Sequence, residues 1–404
     1  PMEAATFRPR LEVADILRLH GDAYRTRHPV SPEQAAVMRH LVACRTAALG
    51  GHVDACTECG FLKISYNSCR NRHCPTCQAA RQAEWLETRL ERLLPVEYFH
   101  VVFTLPEPLQ PLALKNRRVI YNLLFRAASQ TLLQLAADPR RLGAQIGFTA
   151  ILHTWGQNLR FHPHLHCVVT GGGLSFDGTR WAPARRGYFL PVKVLGKLFR
   201  GKFLAGLQEA YRAGKLQLNG SVAALANPGC FRKLLAALYR QNWVVYAKPP
   251  FGGAAQVYRY LGRYTHRVAI SNGRLVSLDN GEVRFRYKDY ADGSTWKTMQ
   301  LSAEEFLRRF LLHVLPKRFV RIRHYGLLAS RNVSTRLQRC RELLDAATPE
   351  TLVEPTSDER AVSSPEPEHC PRCRHQLRRW TWDAGDPLPP ILRALSPVAI
   401  FDSS

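Results

Sequence analysis

Two histidines separated by one residue could bind a metal ion together. His164 and His166 lie in the segment RFHPHLHCVV. If residues 164–170 form a strand, both imidazoles project from one face and Leu165 projects from the other. A third ligand could come from the adjoining segment, in which we rank Gln157 first among Gln157, Asn158, His153 and His162. The alternative is that the rings only form hydrogen bonds within the fold.

The donor types restrict the ion that such a site would take. Imidazole accepts manganese and other transition ions, whereas magnesium prefers oxygen. A catalytic Mg²⁺ or Mn²⁺ would therefore need oxygen from the third ligand, from water or from a bound phosphate.

Two tyrosines four residues apart, Tyr260 and Tyr264, could supply a nucleophile. Residues 254–267 are predicted to form a helix, and this spacing then puts both phenols on one face, roughly 6 Å apart at the Cβ atoms. A phenol has a pKa of about 10, so it attacks well only beside a cation or a base. A metal ion on the histidines would polarise a phosphate of a DNA strand. The attacking tyrosine would then hold the cut DNA strand as a phosphotyrosine ester. The alternative is that Tyr258, Tyr260 and Tyr264 have no chemical role and only pack as aromatic side chains.

Paired cysteines predict a structural zinc ion. Cys56-x-x-Cys59 and Cys74-x-x-Cys77 have the spacing of a four-thiolate, ribbon-like tetrahedral site. Other candidates lie in or just before the same stretch and could bind a second zinc or replace members of the first set: Cys69, His73, Cys44 and His52. Cys370-x-x-Cys373, flanked by His369 and His375, is a further possible half-site.

The charge of the chain favours a polyanionic partner. It contains 57 Lys and Arg against 32 Asp and Glu, which leaves a net charge of +25. Nucleic acid is the first candidate, and its affinity should depend on salt. We expect no membrane partner and a cytoplasmic, nucleoid-associated protein, because there is no long apolar run and no signal-peptide core. The basic residues proposed to contact DNA, with a solvated surface as the alternative, are Arg70, Arg72, Arg81, Lys317, Arg318, Arg321 and Arg323.

The elements that must position these residues can be read from hydrophobic periodicity. Helices are predicted over 32–49, 79–94, 112–136 and 303–314, the last with Ser302 as N-cap. Strands are predicted over 98–105, 147–154, 164–170 and 243–247, and a hairpin is predicted from strands 274–278 and 283–287 joined through Asp279, Asn280 and Gly281. We divide the chain into a helical and zinc-binding part, 1–95, a catalytic part, 96–330, with a helical insertion near 192–242, and a C-terminal tail, 331–404.

Three stretches together resemble a known family. They are FHPHLHCVVTGGGL, YRYLGRYTHRVAISNGRL and the cysteine-rich stretch before them. The chain resembles the HUH transposases of rolling-circle insertion sequences, in the two-tyrosine group typed by insertion sequence ninety-one, over most of residues 10–330. The segment from Cys370 to His375 is not matched.

The resemblance implies an α+β fold, with a palm-like antiparallel sheet flanked by helices and an N-terminal zinc-ribbon-like domain. It implies that His164 and His166 hold the metal and that Tyr260 and Tyr264 are the nucleophiles. The implied function is a transposase that nicks and rejoins single-stranded DNA, at element ends and at target DNA, through a 5′-phosphotyrosine intermediate.

Two other functions fit the same residues. A replication initiator or relaxase would share the chemistry and differ in the DNA that it cuts. A non-catalytic, zinc-dependent nucleic-acid-binding protein would pack its histidines and stack its tyrosines on bases.

Overall fold

The computed structural model describes residues 11–78, 93–185, 189–248, 268–290, 292–346 and 369–393. The predicted helices over 79–94 and 254–267 lie outside these ranges, and so do Arg81, Tyr258, Tyr260 and Tyr264.

The N-terminal part consists of two helices followed by two short strands. They are α1 (Val13–Arg27), α2 (Pro32–Val42), β1 (Gly51–Ala55) and β2 (Leu62–Tyr66). Ser31 caps α2, since its hydroxyl accepts from the Gln34 amide while the Gln34 side chain accepts from the Ser31 amide. The helix predicted over 32–49 ends at Val42, and a single 3-10 turn follows at Ala47–Leu49.

The rest of the described chain contains both strands and helices. The strands are β3 (Tyr98–Thr104), β4 (Gly147–Trp155), β5 (Phe161–Thr170), β6 (Gly172–Leu174), β7 (Trp181–Pro183), β8 (Val245–Lys248), β9 (Leu275–Asp279), β10 (Glu282–Asp289), β11 (Thr295–Ser302), β12 (Ile322–Gly326) and β13 (Arg378–Trp382). The helices are α3 (Gln110–Lys115), α4 (Arg117–Ala137), α5 (Val192–Arg212), α6 (Pro228–Arg240), α7 (Ala303–Leu311), α8 (Gln338–Asp345) and α9 (Pro390–Arg393).

A five-stranded antiparallel sheet lies at the centre, with the strand order β12-β4-β5-β3-β8. The strands predicted over 147–154 and 164–170 are β4 and β5, which pair with each other, and nearly every residue of both is buried. The helices of the main core cover this sheet, so the fold is α+β, as expected.

The predicted insertion is part of the main core. Phe199 on α5 packs 4.9 Å from Phe103 of the sheet and 5.2 Å from Trp243, between ring centroids. The helix predicted over 112–136 is two helices, because Asn116 leaves the helical conformation at φ −118° and ψ 41°. The side-chain amide of Asn116 donates to the carbonyls of Leu112 and Gln217. These bonds tie the junction between α3 and α4 to the chain after α5.

A second core joins the N-terminal helices to a distant segment. Ile16 and Leu41 are buried with Phe285 and Phe306, whose rings lie 5.9 Å apart. Phe285 belongs to the hairpin β9–β10, which turns where predicted, with positive φ angles of 50° at Asn280 and 77° at Gly281. Residues 268–314 therefore pack on the N-terminal helices, although the predicted division assigns the two segments to different parts of the chain.

Residues 369–393 of the predicted C-terminal tail pack against the N-terminal strands. Within this C-terminal segment, β13 pairs with β1, which gives a three-stranded sheet β13-β1-β2. Trp382 and Leu392 are buried against Val53. In the part of the chain that the structure describes, no helix has the length and apolar character needed to cross a membrane.

Candidate functional site

Three histidines converge on the two central strands. Strand alternation places His164 and His166 on one face of β5, and the register with β4 puts His153 directly opposite His164. The possible ligand atoms of the three rings all lie within 4.8 Å of one another, and the Nε2 atoms of His164 and His166 are 3.0 Å apart. His153 and His166 are buried. The predicted pair, His164 and His166, therefore faces one point, and His153 faces the same point from the neighbouring strand.

Neighbouring groups orient two of these rings. His164 Nδ1 lies 2.6 Å from the carbonyl oxygen of His162, and donation to that oxygen leaves the lone pair on Nε2. His166 Nδ1 lies 2.8 Å from Nε2 of His100, a buried histidine on β3 that the sequence did not single out. Burial lowers the pKa of His164 to about 4, with the nearby His162 as a smaller cause. The imidazole of His164 is therefore neutral near pH 7, as a metal ligand must be.

The predicted third ligand, Gln157, lies elsewhere. It is in the turn between β4 and β5, where its backbone carbonyl accepts from Arg274. His153, ranked behind Gln157 from the sequence, is paired with His164 across the hairpin and belongs to the group of three histidines.

The cysteines form two clusters, which corrects the predicted zinc ligands. Cys74 and Cys77 lie with Cys44 and Cys69, whereas Cys56 and Cys59 lie with Cys370 and Cys373. The set Cys56, Cys59, Cys74 and Cys77 is therefore wrong as a single site. His73 is not in the cluster with Cys69, since its Nε2 accepts from the backbone amide of Leu315.

The first cluster has the dimensions of a tetrahedral thiolate site. The Sγ separations from Cys77 are 3.5 Å to Cys44 and 3.6 Å to Cys69, and Cys74 lies 3.7 Å from Cys44. Four sulfur atoms on a zinc ion with Zn–S bonds of about 2.3 Å are about 3.8 Å apart. Hydrogen bonds from Cys69 and Cys74 lower the pKa of the Cys44 thiol, and the same bonds raise the pKa of Cys69 and Cys74. Its donor type and spacing fit zinc.

The predicted DNA-contacting residues have different environments. Arg321 is buried and donates to the side chain of Gln78, and burial lowers its pKa to about 10. Arg72 donates to the carbonyls of Phe319 and Pro316, and thereby ties the cysteine-rich loop to the chain after α7. Both arginines therefore join parts of the protein, and Arg72 also lines the cleft beside α2.

Arg323 is also engaged within the fold. Its guanidinium lies 4.0 Å from the centroid of the Phe125 ring and donates to Asn122. Arg70, Lys317 and Arg318 are exposed and line one cleft of about 490 Å³ beside α2. This cleft joins two basic segments that are about 250 residues apart in the sequence, and it can hold an anion.

Comparisons with known proteins agree with this arrangement. Residues 147–335 match a family model described as "Putative transposase", and residues 16–105 match one described as "Transposase zinc-binding domain". The first of these ranges contains the three histidines, and the second contains the whole of the first cysteine cluster.

Two relatives cover most of the chain. It is 56% identical over 339 residues to "Putative transposase y4qJ" of Sinorhizobium fredii, covering 84% of this chain and 85% of the relative. It is 31% identical over 325 residues to the transposase for insertion sequence element IS801 of Pseudomonas savastanoi pv. phaseolicola, covering 76% of this chain and 73% of the relative. No solved structure matches the chain. The chain therefore belongs to the IS91 family of transposases and carries that family's zinc-binding domain.

Proposed function

We propose that this transposase nicks and rejoins single-stranded DNA and mobilises an insertion sequence by a rolling-circle route. Tyr260 and Tyr264 are the proposed nucleophiles, and His153, His164 and His166 are the proposed ligands of a divalent cation. The observation that carries the proposal is the convergence of three imidazoles, within 4.8 Å, on the central strands of a chain that belongs to a transposase family.

The donor set indicates which ion this site prefers. Three neutral nitrogen donors suit Mn²⁺ or another transition ion better than Mg²⁺. When bound, such an ion polarises a phosphate and offsets the charge that develops on it during attack. His100 keeps the ring of His166 in place, and the His162 carbonyl does the same for His164.

The tyrosines carry out the proposed strand transfer. The phenol of one tyrosine gives up its proton and its oxygen attacks the phosphorus, the bond to the 3′ oxygen breaks, and that oxygen takes up a proton and leaves as a 3′ hydroxyl. The 5′ phosphate stays on the tyrosine as an ester, so the bond energy is conserved. A 3′ hydroxyl of the receiving strand then attacks this ester, which rejoins the DNA and restores the phenol. Two tyrosines allow two cut strands to be held at once.

The exposed cations provide a path for the DNA backbone. Arg70, Lys317 and Arg318 line the cleft beside α2, next to the first cysteine cluster. Phosphate contacts there would hold DNA without reading its sequence.

The test is the capture of a covalent adduct. The chain is incubated with Mn²⁺ or Mg²⁺ and a labelled single strand that carries an element end, and the products are separated under denaturing conditions. We expect a labelled protein band that His164→Ala abolishes and that Tyr260→Phe and Tyr264→Phe reduce or abolish. All three variants should bind the strand nearly as well as the wild-type chain.

Two variants serve as matched controls. Tyr290→Phe removes a hydroxyl from an exposed tyrosine, and His324→Gln changes a histidine on the edge strand β12. Both should retain the adduct. If the wild-type chain binds the strand and forms no adduct with either ion, the catalytic proposal fails and the non-catalytic binding protein is favoured. Cleavage of plasmid or transfer origins in preference to element ends would instead favour an initiator or relaxase.

A further inference from the structure

The second cysteine cluster draws its members from opposite ends of the chain. Cys56 Sγ lies 3.3 Å from Cys373 Sγ, and Cys59 Sγ lies 3.4 Å from Cys370 Sγ. The two pairs are separated by 317 and 311 residues. All four sulfur atoms lie within 4.8 Å of one another, and all four cysteines are free thiols. The matched zinc-binding domain ends at residue 105, so it contains only half of this cluster.

The two Cys-x-x-Cys turns have the same backbone design. In the first, the amide of Cys56 donates to the Phe61 carbonyl and the Gly60 amide donates to the Cys56 carbonyl. In the second, the amide of Cys370 donates to the His375 carbonyl and the Arg374 amide donates to the Cys370 carbonyl. Each bond therefore recurs at the same offset from the first cysteine.

The residue after each second cysteine also has the same conformation. Gly60 has φ +70° and Arg374 has φ +65°. A positive φ is easy for glycine and strained for arginine, so the second turn holds this shape against a backbone preference. Two matching turns that aim four sulfur atoms at one point are the arrangement of a zinc ribbon.

The strands next to the turns support the same pairing. β13 follows the second turn and forms an antiparallel pair with β1, which precedes the first turn. Across this pair, Arg379 donates two hydrogen bonds, of 2.6 and 3.0 Å, to the buried carboxylate of Asp54. The apolar cluster beneath is small, with Val53, Trp382 and Leu392 as its buried members. A cluster of this size contributes little apolar burial, so a metal cross-link would add substantially to the attachment of the C-terminal segment.

We propose that Cys56, Cys59, Cys370 and Cys373 bind a second structural zinc ion, and that this ion fastens the C-terminal segment to the N-terminal sheet. The donors are four thiolates, so a soft, tetrahedral ion such as Zn²⁺ is the chemical class that the site takes. The site completes the sheet β13-β1-β2 and is separate from both the first cysteine cluster and the three histidines.

The first test counts thiolate-bound zinc in the full chain. The protein is purified under reducing conditions, dialysed against a mild chelator to empty the histidine site, and treated with a mercurial that releases zinc only from thiolates. We expect two zinc ions per wild-type chain and one in the double variant Cys370→Ser, Cys373→Ser. Cys44→Ser, Cys74→Ser should also retain one, and Cys230→Ser, which changes an exposed cysteine outside both clusters, should retain two.

Two further measurements test the proposal even if the double serine variants fail to fold. Cys373→His keeps a tetrahedral donor set and should still carry two ions. Cadmium substituted into the wild-type chain should give two resonances typical of four-sulfur coordination. One zinc ion in the wild-type chain, an unchanged count in the Cys370, Cys373 variant, or disulfides between the two pairs would each overturn the proposal. None of these readouts depends on DNA cleavage.

The second test addresses the fastening role. A protease site is inserted between residues 346 and 369, and the purified chain is cut there. We expect the C-terminal piece to stay bound while zinc is present and to leave when the mercurial and a chelator are added. The piece should leave without that treatment in Cys370→Ser, Cys373→Ser. Retention of the wild-type piece after complete zinc removal would show that packing alone holds it.

Discussion

The contact between His100 and His166 allows a sharp prediction about metal affinity. If Nε2 of His166 binds the cation, the proton of that ring must be on Nδ1, where it donates to Nε2 of His100 at 2.8 Å. His100→Leu keeps most of the side-chain volume and removes the acceptor. Both histidines are buried, with 5% and 8% of their surfaces exposed, so water cannot easily replace it.

The expected size of the effect follows from that burial. A buried donor without an acceptor costs about 1–3 kcal/mol. Without the metal, His166 can avoid this cost by moving its proton to Nε2, which lies 3.0 Å from Nε2 of His164. The cost therefore falls on the metal-bound state, and the Kd for Mn²⁺ should rise by about 5- to 150-fold.

The assay is a titration with Mn²⁺ in which the free ion is followed by electron paramagnetic resonance. His100→Gln is the matched variant, because its side-chain oxygen can take the place of Nε2 as acceptor, and it should restore most of the affinity. Thermal unfolding of both metal-free variants checks that they fold alike. The reasoning is refuted if His100→Leu binds Mn²⁺ as tightly as the wild-type chain, or if leucine and glutamine weaken binding equally.

Two further predictions concern the fold and the DNA-binding cleft. Gly326 has φ +58°, and a Cβ there would collide with the Ile146 carbonyl oxygen. Gly326→Ala should therefore lower the free energy of unfolding, measured by urea denaturation, by more than about 2 kcal/mol. Gly178→Ala, at φ +73° with open space around it, should cost only the backbone part, about 1–2 kcal/mol, and equal losses would argue against the collision. The double variant Lys317→Ala, Arg318→Ala should make the plot of the log binding constant for single-stranded DNA against log salt concentration less steep by about 1.4, measured by fluorescence anisotropy. An unchanged slope would mean that the DNA binds elsewhere.

Local patterns were reliable where the deciding interactions are close in sequence. The alternation of His164, Leu165 and His166 predicts two imidazoles on one face, because side chains alternate along any strand. Asn280-Gly281 predicts the turn, since both residues tolerate a positive φ. Ser302 is the N-cap of α7, as predicted, and its hydroxyl accepts from the Glu305 amide.

Predictions failed where a partner comes from far along the chain. A Cys-x-x-Cys turn can be recognised from four residues, but its partner turn cannot, and Cys56–Cys59 joins Cys370–Cys373 and not the nearer Cys74–Cys77. Arginine composition likewise does not show whether a guanidinium faces DNA or the protein. Arg72 and Arg321 bind carbonyl and amide oxygens of their own chain.

The residues alone established the kinds of chemistry available to this protein: imidazoles in pairs, thiolates in pairs, and an excess of cations suited to a polyanion. They also established the strands that carry the central histidines, because that information lies within one turn or one strand of each residue. Only the tertiary structure decided which groups meet. The register of β4 against β5 brought in His153, β3 supplied His100, and the pairing of β13 with β1 completed the second cysteine cluster. These contacts depend on packing between segments up to several hundred residues apart, and no local pattern encodes them.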